Sequence, residues 1–127
     1  MDEPTIRDDL IAAGATATDR GDYVVACPTF EMLIRIEGRA DGTRLVFLAP
    51  VAEIAERDLP RCLESTSFLL IGVPVVIAGT LLVRSVLPIE EASREVLGDM
   101  IAALASDTVM YEAAIRQRQS PYELPLR

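Results

Sequence analysis

The chain contains no lysine, no histidine and no tryptophan. Each absence removes a class of chemistry. Without histidine there is no imidazole proton shuttle, no Ser-His-Asp or Cys-His nucleophile and no imidazole metal ligand. Without lysine there is no Schiff-base amine. Neither a phosphate-binding P-loop nor a dinucleotide fingerprint is present. Cysteine is scarce too: Cys27 and Cys62 stand alone, far apart and outside any CxxC pair. That spacing argues against a zinc site and for buried free thiols in a reducing cytoplasm. No catalytic residue, no cofactor and no metal is expected, and the chain reads as a non-enzyme. Aromatic residues make up 5%, so the core must be built from Leu, Ile, Val and Ala. The opening "MDEPTIRDDL" carries acids where a secretory signal carries bases and then an apolar run, so no signal peptide is expected.

What is present is an acidic, apolar-rich chain. It has 127 residues, 50% of them hydrophobic, and a formal net charge of −8 from 20 acids and 12 bases. Mean hydropathy is +0.29. Disorder is excluded by such a composition, and the length fits one domain. We expect a single α+β domain over residues 1–116 and a C-terminal tail over 117–127, either loose or docked as an arm. Negative charge repels phosphate backbones, so no nucleic-acid partner is expected. Two carboxylate pairs occur, Asp8-Asp9 and Glu90-Glu91. Adjacent helix residues do not face each other, so neither pair can share a proton. Glu90 and Glu91 read as first-turn acids of a helix, and Asp41 as a turn former.

The chain alternates between two periods. "DEPTIRDDLIAAG" has Pro near its start and Gly at its end, which predicts a helix over Pro4–Ala13 closed by Gly14. "ATATDRGD" reads as a loop. "YVVAC" is a strand stopped by Pro28. "MLIRIEG" alternates, with Met32, Ile34 and Ile36 on one face and Leu33 and Arg35 on the other. Asp41-Gly42 supplies a hairpin dipeptide, and "RLVFLAPV" returns with Leu45, Phe47 and Ala49 on one face. These three segments predict an antiparallel meander. Near the end, "IEEASREVLGDMIAALASDTVMYEAAIRQR" predicts a long helix beginning after Pro88. Its stripe is Leu97, Ile101, Leu104, Thr108, Tyr111 and Ile115, widened by Val96, Met100 and Ala103. A stripe of that width packs on a sheet. Gly98 lies within it and is expected to permit a close approach.

Between these lies "STSFLLIGVPVVIAGTLLV", Ser65–Val83, which has no charged residue. A membrane span needs about 20 apolar residues, so the length almost qualifies. However, seven of its 19 residues are Ser, Thr, Gly or Pro, and Gly72 and Pro74 fall near its centre. Periodicity divides the run. Leu59, Leu63, Thr66 and Leu70 share one helical face, after an Asp58 cap and an early Pro60, with Gly72 expected as a left-handed C-cap. "VPVVIAGTLLVRSVLPI" then reads as two buried strands turned by Ala78-Gly79. No membrane partner is expected.

The order is therefore α-β-β-β-α-β-β-α, an antiparallel sheet with helices packed on it. With "RLVFLAPV", "LPRCLESTSFLLIG", "TLLVRSVLPIEE" and the closing "MYEAAI", this order resembles the type III secretion chaperone-like fold. That group comprises the secretion chaperones and a related family of bacterial sensory-transduction-regulator-like proteins. The resemblance covers about Pro4 to Arg116. It implies a homodimer that binds an extended segment of a partner protein without catalysis.

The residues themselves point to a surface. Leu33, Val46 and Leu48 are apolar on the strand face opposite the Met32/Ile34/Ile36 and Leu45/Phe47 sets. Leu82, Arg84 and Val86 alternate with Leu81, Val83, Ser85 and Leu87. If the sheet is single-layered, only one of the two sets can point at the helices, and an apolar face left over tends to be covered by a partner or a second subunit. Leu33, Arg35, Val46, Leu48, Leu82, Arg84 and Val86 are thus the candidate partner- or dimer-binding residues. A helix or the C-terminal tail covering that face is the alternative at this point. A different class of function, a small-ligand or anion-binding protein or enzyme, would use Arg35 and Arg84 in a pocket lined by guanidinium and carboxylate groups.

Overall fold

The computed structural model describes residues 3–58, 60, 62 and 69–118 of the chain. Helix α1 covers Glu3–Ala12. Gly14 closes it at φ +104°. The Ala15 N–H donates to the Leu10 carbonyl at 2.9 Å and the Gly14 N–H to the Ile11 carbonyl at 3.0 Å. This is the paired bonding of a Schellman cap, and it requires the left-handed residue that Gly supplies without strain.

Six strands follow: β1 Thr16–Ala17, β2 Tyr23–Ala26, β3 Glu31–Arg39, β4 Gly42–Glu53, β5 Val73–Ile77 and β6 Thr80–Pro88. They form one sheet in the order β1-β2-β3-β4-β6-β5, antiparallel throughout. Helix α2, Arg94–Arg118, closes the described chain. The α+β architecture is the expected one, with an addition. The "ATAT" stretch read as loop contributes the two-residue β1, pairing Thr16 with Val24 and Ala17 with Tyr23.

Local differences from the sequence reading each have a cause. The β3–β4 turn is centred on Ala40-Asp41, because Arg39 pairs with Gly42. Gly42 then takes φ +134° as the first residue of β4, where a left-handed residue after the turn restores the strand direction. The β5–β6 turn falls on Ala78 (φ 51°) and Gly79 (φ 81°), the two positive φ values of a type I′ turn. The long helix begins six residues after Pro88. Ile89–Glu91 form a single 3-10 turn, Ser93 Oγ accepts the Val96 N–H at 3.2 Å, and α2 starts there. A serine cap in that position satisfies an orphan N–H of the first turn, so Glu90 and Glu91 lie outside α2.

Most of the expected second helix, including Leu59, Leu63 and Thr66, lies outside the described residues, as does the tail beyond Arg118. Pro60 and Cys62 are helical. Gly72 does not have the left-handed backbone of a helix cap. Its lack of a side chain serves packing instead: a Cβ there would sit 2.0 Å from Val83 Cγ1 and 3.2 Å from Leu104 Cδ1.

The core lies on one face of the sheet. Met32, Ile34, Leu45, Phe47, Ala49, Leu81 and Val83 are all fully buried, and they cluster with Ile6 and Leu10 of α1 and Leu97, Leu104 and Tyr111 of α2. Tyr111 donates its hydroxyl to the Cys62 carbonyl at 2.6 Å. Burial pushes its phenol up to about 12, with a smaller contribution from Cys62. Among the described residues no helix is long and apolar enough to cross a membrane, and the uncharged run contributes β5 and part of β6 to the sheet.

Candidate interaction surface

The second face of the sheet is assembled by strand register. Leu33 on β3 pairs with Leu48 on β4, which pairs with Arg84 on β6, which pairs with Val73 on β5. The next rank is Arg35, Val46 and Val86. A third contains Pro50, Leu82 and Val75. Because side chains alternate along a strand, every member of these ranks points away from α1 and α2. All seven candidate residues come together on this one face.

The face is apolar yet separate from the core. Leu33, Val46, Leu48, Leu82 and Val86 join neither the core cluster nor the partly buried side chains packed against it. Val46 is 4% exposed, flanked in register by Arg35 and Val86. Leu33, Leu48, Pro50, Val75, Leu82, Arg84 and Val86 are half-buried.

The charges on this face are not equivalent. Arg35 donates to both oxygens of Asp22 at 3.3 and 3.4 Å, so its guanidinium is already engaged. Arg44 bonds Glu37 at 2.7 Å, and Arg39 reaches the same oxygen at 3.2 Å. Those contacts, led by the Arg44 hydrogen bond, hold the Glu37 carboxyl below its ordinary range. Arg84 has no hydrogen bond or ion pair with any described residue. It is a half-buried cation with Leu48 on one side and Val73 on the other.

The sequence reading missed the edge. It treated β5 as buried, whereas β5 is the outermost strand, with Val73 59%, Val76 40% and Ile77 53% exposed. Leu70 and Ile71, just before it, are 83% and 37% exposed. The sequence offered only the register: a two-residue turn at Ala78-Gly79 pairs Ile77 with Thr80, and counting back sets Val73 beside Arg84. Edge strands this apolar invite pairing by another chain, although Pro74 removes one N–H from the ladder. The opposite edge, β1, is two residues long.

Asp107 was also missed. It is 1% exposed, and its carboxylate accepts the backbone N–H groups of Leu70, Ile71 and Gly72 at 2.9 to 3.0 Å. A charge inside an otherwise apolar helical stripe was the available signal. These bonds satisfy the carboxylate and fix the exposed Leu70–Val73 approach to β5 against the core helix.

Two surface depressions bear on the pocket alternative. One, of about 210 Å³, is lined by Val51, Ala52, Glu112, Ile115 and Arg116. The other, of about 250 Å³, is lined by Asp41, Gly42, Thr43, Arg44, Val86, Pro88 and Glu90. Neither contains Arg35 or Arg84. Among the described residues no group of three or more Cys, Asp or Glu side chains could hold a metal ion.

A sheet with this order, helices on one face and an apolar second face, is the type III secretion chaperone-like fold. The solved structure of the HopA1–SchA chaperone–effector complex contains a chain that matches with a TM-score of 0.63. The likeness covers 87% of this chain and 91% of that one, at 13% sequence identity. No protein-family model matches the sequence, and no curated protein matches it.

Proposed function

We propose that this protein is a non-enzymatic, chaperone-like binding module, homodimeric and cytoplasmic, that holds an extended segment of a partner protein. The observation that carries the reading is the second apolar face, where Leu48, Val73, Leu82 and Val86 surround an Arg84 that has no partner among the described residues, with Leu33 beyond Leu48 and the exposed strand β5 at the edge. An apolar surface of that kind marks a protein contact, and a free strand edge beside it suits an extended chain. The matched chaperone–effector structure supports the same class of partner. The absence of histidine and lysine from the sequence supports a role without catalysis.

The test places a photo-crosslinking amino acid at Val73 or Leu82 in the full-length protein within the native cytoplasm. The reading expects one recurring polypeptide to be captured at both positions, with capture lost on adding Leu48→Ser. Crosslinks that are spread over many proteins and unchanged by Leu48→Ser would remove it. A second reading rests on Arg84 alone: its guanidinium, without a partner among the described residues, could take a small anion. Saturable phosphate or carboxylate binding that disappears in Arg84→Ala, with crosslinking unaffected, would favour that alternative.

A further inference from the structure

Glu31 begins β3 and is exposed. It pairs with Ala26 on β2, while Ala26 and Val24 flank the same face as Leu33. Like Arg84, it has no ion pair or hydrogen bond with any described residue. Arg84 and Glu31 lie two strands and one rank apart, so about 12 Å separates them across the face. The line joining them passes over β4 between Leu48 and Pro50. One unanswered cation and one unanswered carboxylate therefore sit on either side of an apolar centre.

That arrangement is self-complementary. A two-fold axis lying in the interface, perpendicular to that line at its midpoint, places each Arg84 over the Glu31 of the other copy. Leu48 and Pro50 then meet their own counterparts, with Leu33 and Leu82 beside them. Four strands at about 4.8 Å and nine residues at about 3.3 Å give a face of roughly 20 by 30 Å. Two such faces overlapping completely would bury at most about 1,200 Å², the lower bound of a stable specific interface. On the same face Glu53, at the far end of β4 beyond the irregularity between Pro50 and Ala52, also has no ion pair or hydrogen bond with any described residue. Pairing Arg84 with Glu53 would shift the axis toward the β5–β6 turn and leave Leu33 and Val24 uncovered. Glu31 is therefore the better-placed acid.

We infer that the second sheet face closes on another copy of this chain, each Arg84 being answered by Glu31 of the other copy, and that β5 is left at the rim. The inference rests on the homodimeric binding module proposed above and assigns its dimer face. It also separates two roles: the face is for self-association, and the edge is for the partner segment.

The test is light scattering of the full-length protein across a concentration series, with Arg84→Glu, Glu31→Arg and Glu53→Arg variants. Circular dichroism checks that each variant is folded. Arg84→Glu and Glu31→Arg alone should each weaken the dimer by about tenfold or more, since each places like charges together twice. An equimolar mixture of these two variants should recover dimerisation, because both contacts in the mixed pair are then opposite in sign. Glu53→Arg should leave the dimer unchanged. A dimer that persists undiminished in both single variants overturns the inference and leaves the homodimer reading intact. So does loss without recovery on mixing folded variants, or a loss caused by Glu53→Arg. A wild-type protein that is monomeric at every concentration overturns the inference and the homodimer together, while crosslinking at Val73 still judges the binding of a partner. If Arg84→Glu does not fold, Arg84→Gln mixed with Glu31→Arg replaces it; an unchanged dimer in both then overturns the inference.

Discussion

The two faces of the sheet share their strands but not their surroundings. Phe47 and Leu48 are neighbours on β4, yet Phe47 is fully buried in the core and Leu48 lies half-buried outside it. The inner face meets α1 and α2, and its apolar side chains reach zero exposure. The second face mixes apolar side chains with Arg35, Arg84 and the Arg44–Glu37 pair, and no described helix lies over it. Hydrophobicity alone therefore did not decide which residues became core. Register and the position of the helices decided it, and the apolar residues left over became a surface.

The sharpest way to break that comparison is to truncate one residue from each face. Phe47→Ala should destabilise the protein by about 3–5 kcal/mol through lost burial and a cavity. Leu48→Ala should cost under about 1.5 kcal/mol, because it gives up only part of a side chain's burial. Urea unfolding measures both as shifts in midpoint at constant slope. Comparable losses at the two sites would mean that Leu48 is core, and the second face would no longer be a candidate surface.

Asp107 joins the inner helix to the exposed approach to β5, so it tests whether the two regions are mechanically linked. Asp107→Ala leaves the Leu70, Ile71 and Gly72 N–H groups without their acceptor and should cost about 3 kcal/mol. Hydrogen exchange at these three amides should rise by more than it does in the centre of β4. An equal rise at both places would mean that the bonds stabilise the whole fold rather than anchoring the edge.

Tyr111 gives the inner side a pH signature at the alkaline end, whereas the shifted group on the second face is the Glu37 carboxyl. Its phenol is raised to about 12 from an ordinary value of 10.0. The unfolded chain therefore loses this proton first as pH rises, and the folded protein holds it longer. Its contribution is fully present below pH 10 and is lost between about 10 and 12, up to roughly 2–3 kcal/mol in all. Tyr111→Phe should cost about 1 kcal/mol at neutral pH, for the missing bond to the Cys62 carbonyl. It should also fall less steeply above pH 10 than the parent. Parallel stability curves for the two proteins would remove the assigned pKa.

Much of this was legible because it is periodic. Alternation placed Leu45, Phe47 and Ala49 on one side of β4 and Val46 and Leu48 on the other. The 4, 3, 4 spacing from Leu97 to Ile115 marked the inner stripe of α2, whose Leu97, Leu104 and Tyr111 are fully buried. The less legible features depend on contacts between distant segments. Asp107 finds its partners 35 to 37 residues away, and the need for Gly72 comes from Val83 and Leu104. Periodicity within one segment carries no information about either. The exposure of β5 depends on strand order: β6 lies next to β4, so β5 falls at the edge. No residue in "VPVVI" specifies that. The starting point of α2 was different, since Ser93 three residues before Val96 was a readable cap that the acids Glu90 and Glu91 obscured.

Gly98 offers the smallest test and separates helix propensity from packing. A glycine within the stripe of α2 suggested a close approach to a neighbour. Yet a Cβ built at Gly98 meets nothing within 4 Å, in contrast to the 2.0 Å clash at Gly72. The backbone at Gly98 does not adopt positive φ, so alanine fits without strain. Gly98→Ala should therefore stabilise the protein by up to about 1 kcal/mol, as an interior helical glycine costs that much relative to alanine. Gly72→Ala should destabilise it, because Val83 sits in the core and cannot move aside without opening a gap. Thermal unfolding of the pair reads both signs at once. A stabilised Gly98→Ala beside a destabilised Gly72→Ala would show that the first glycine is a local weakness of the helix and the second a contact between the β5 approach and the core. A destabilised Gly98→Ala would mean that something outside the described residues occupies that space.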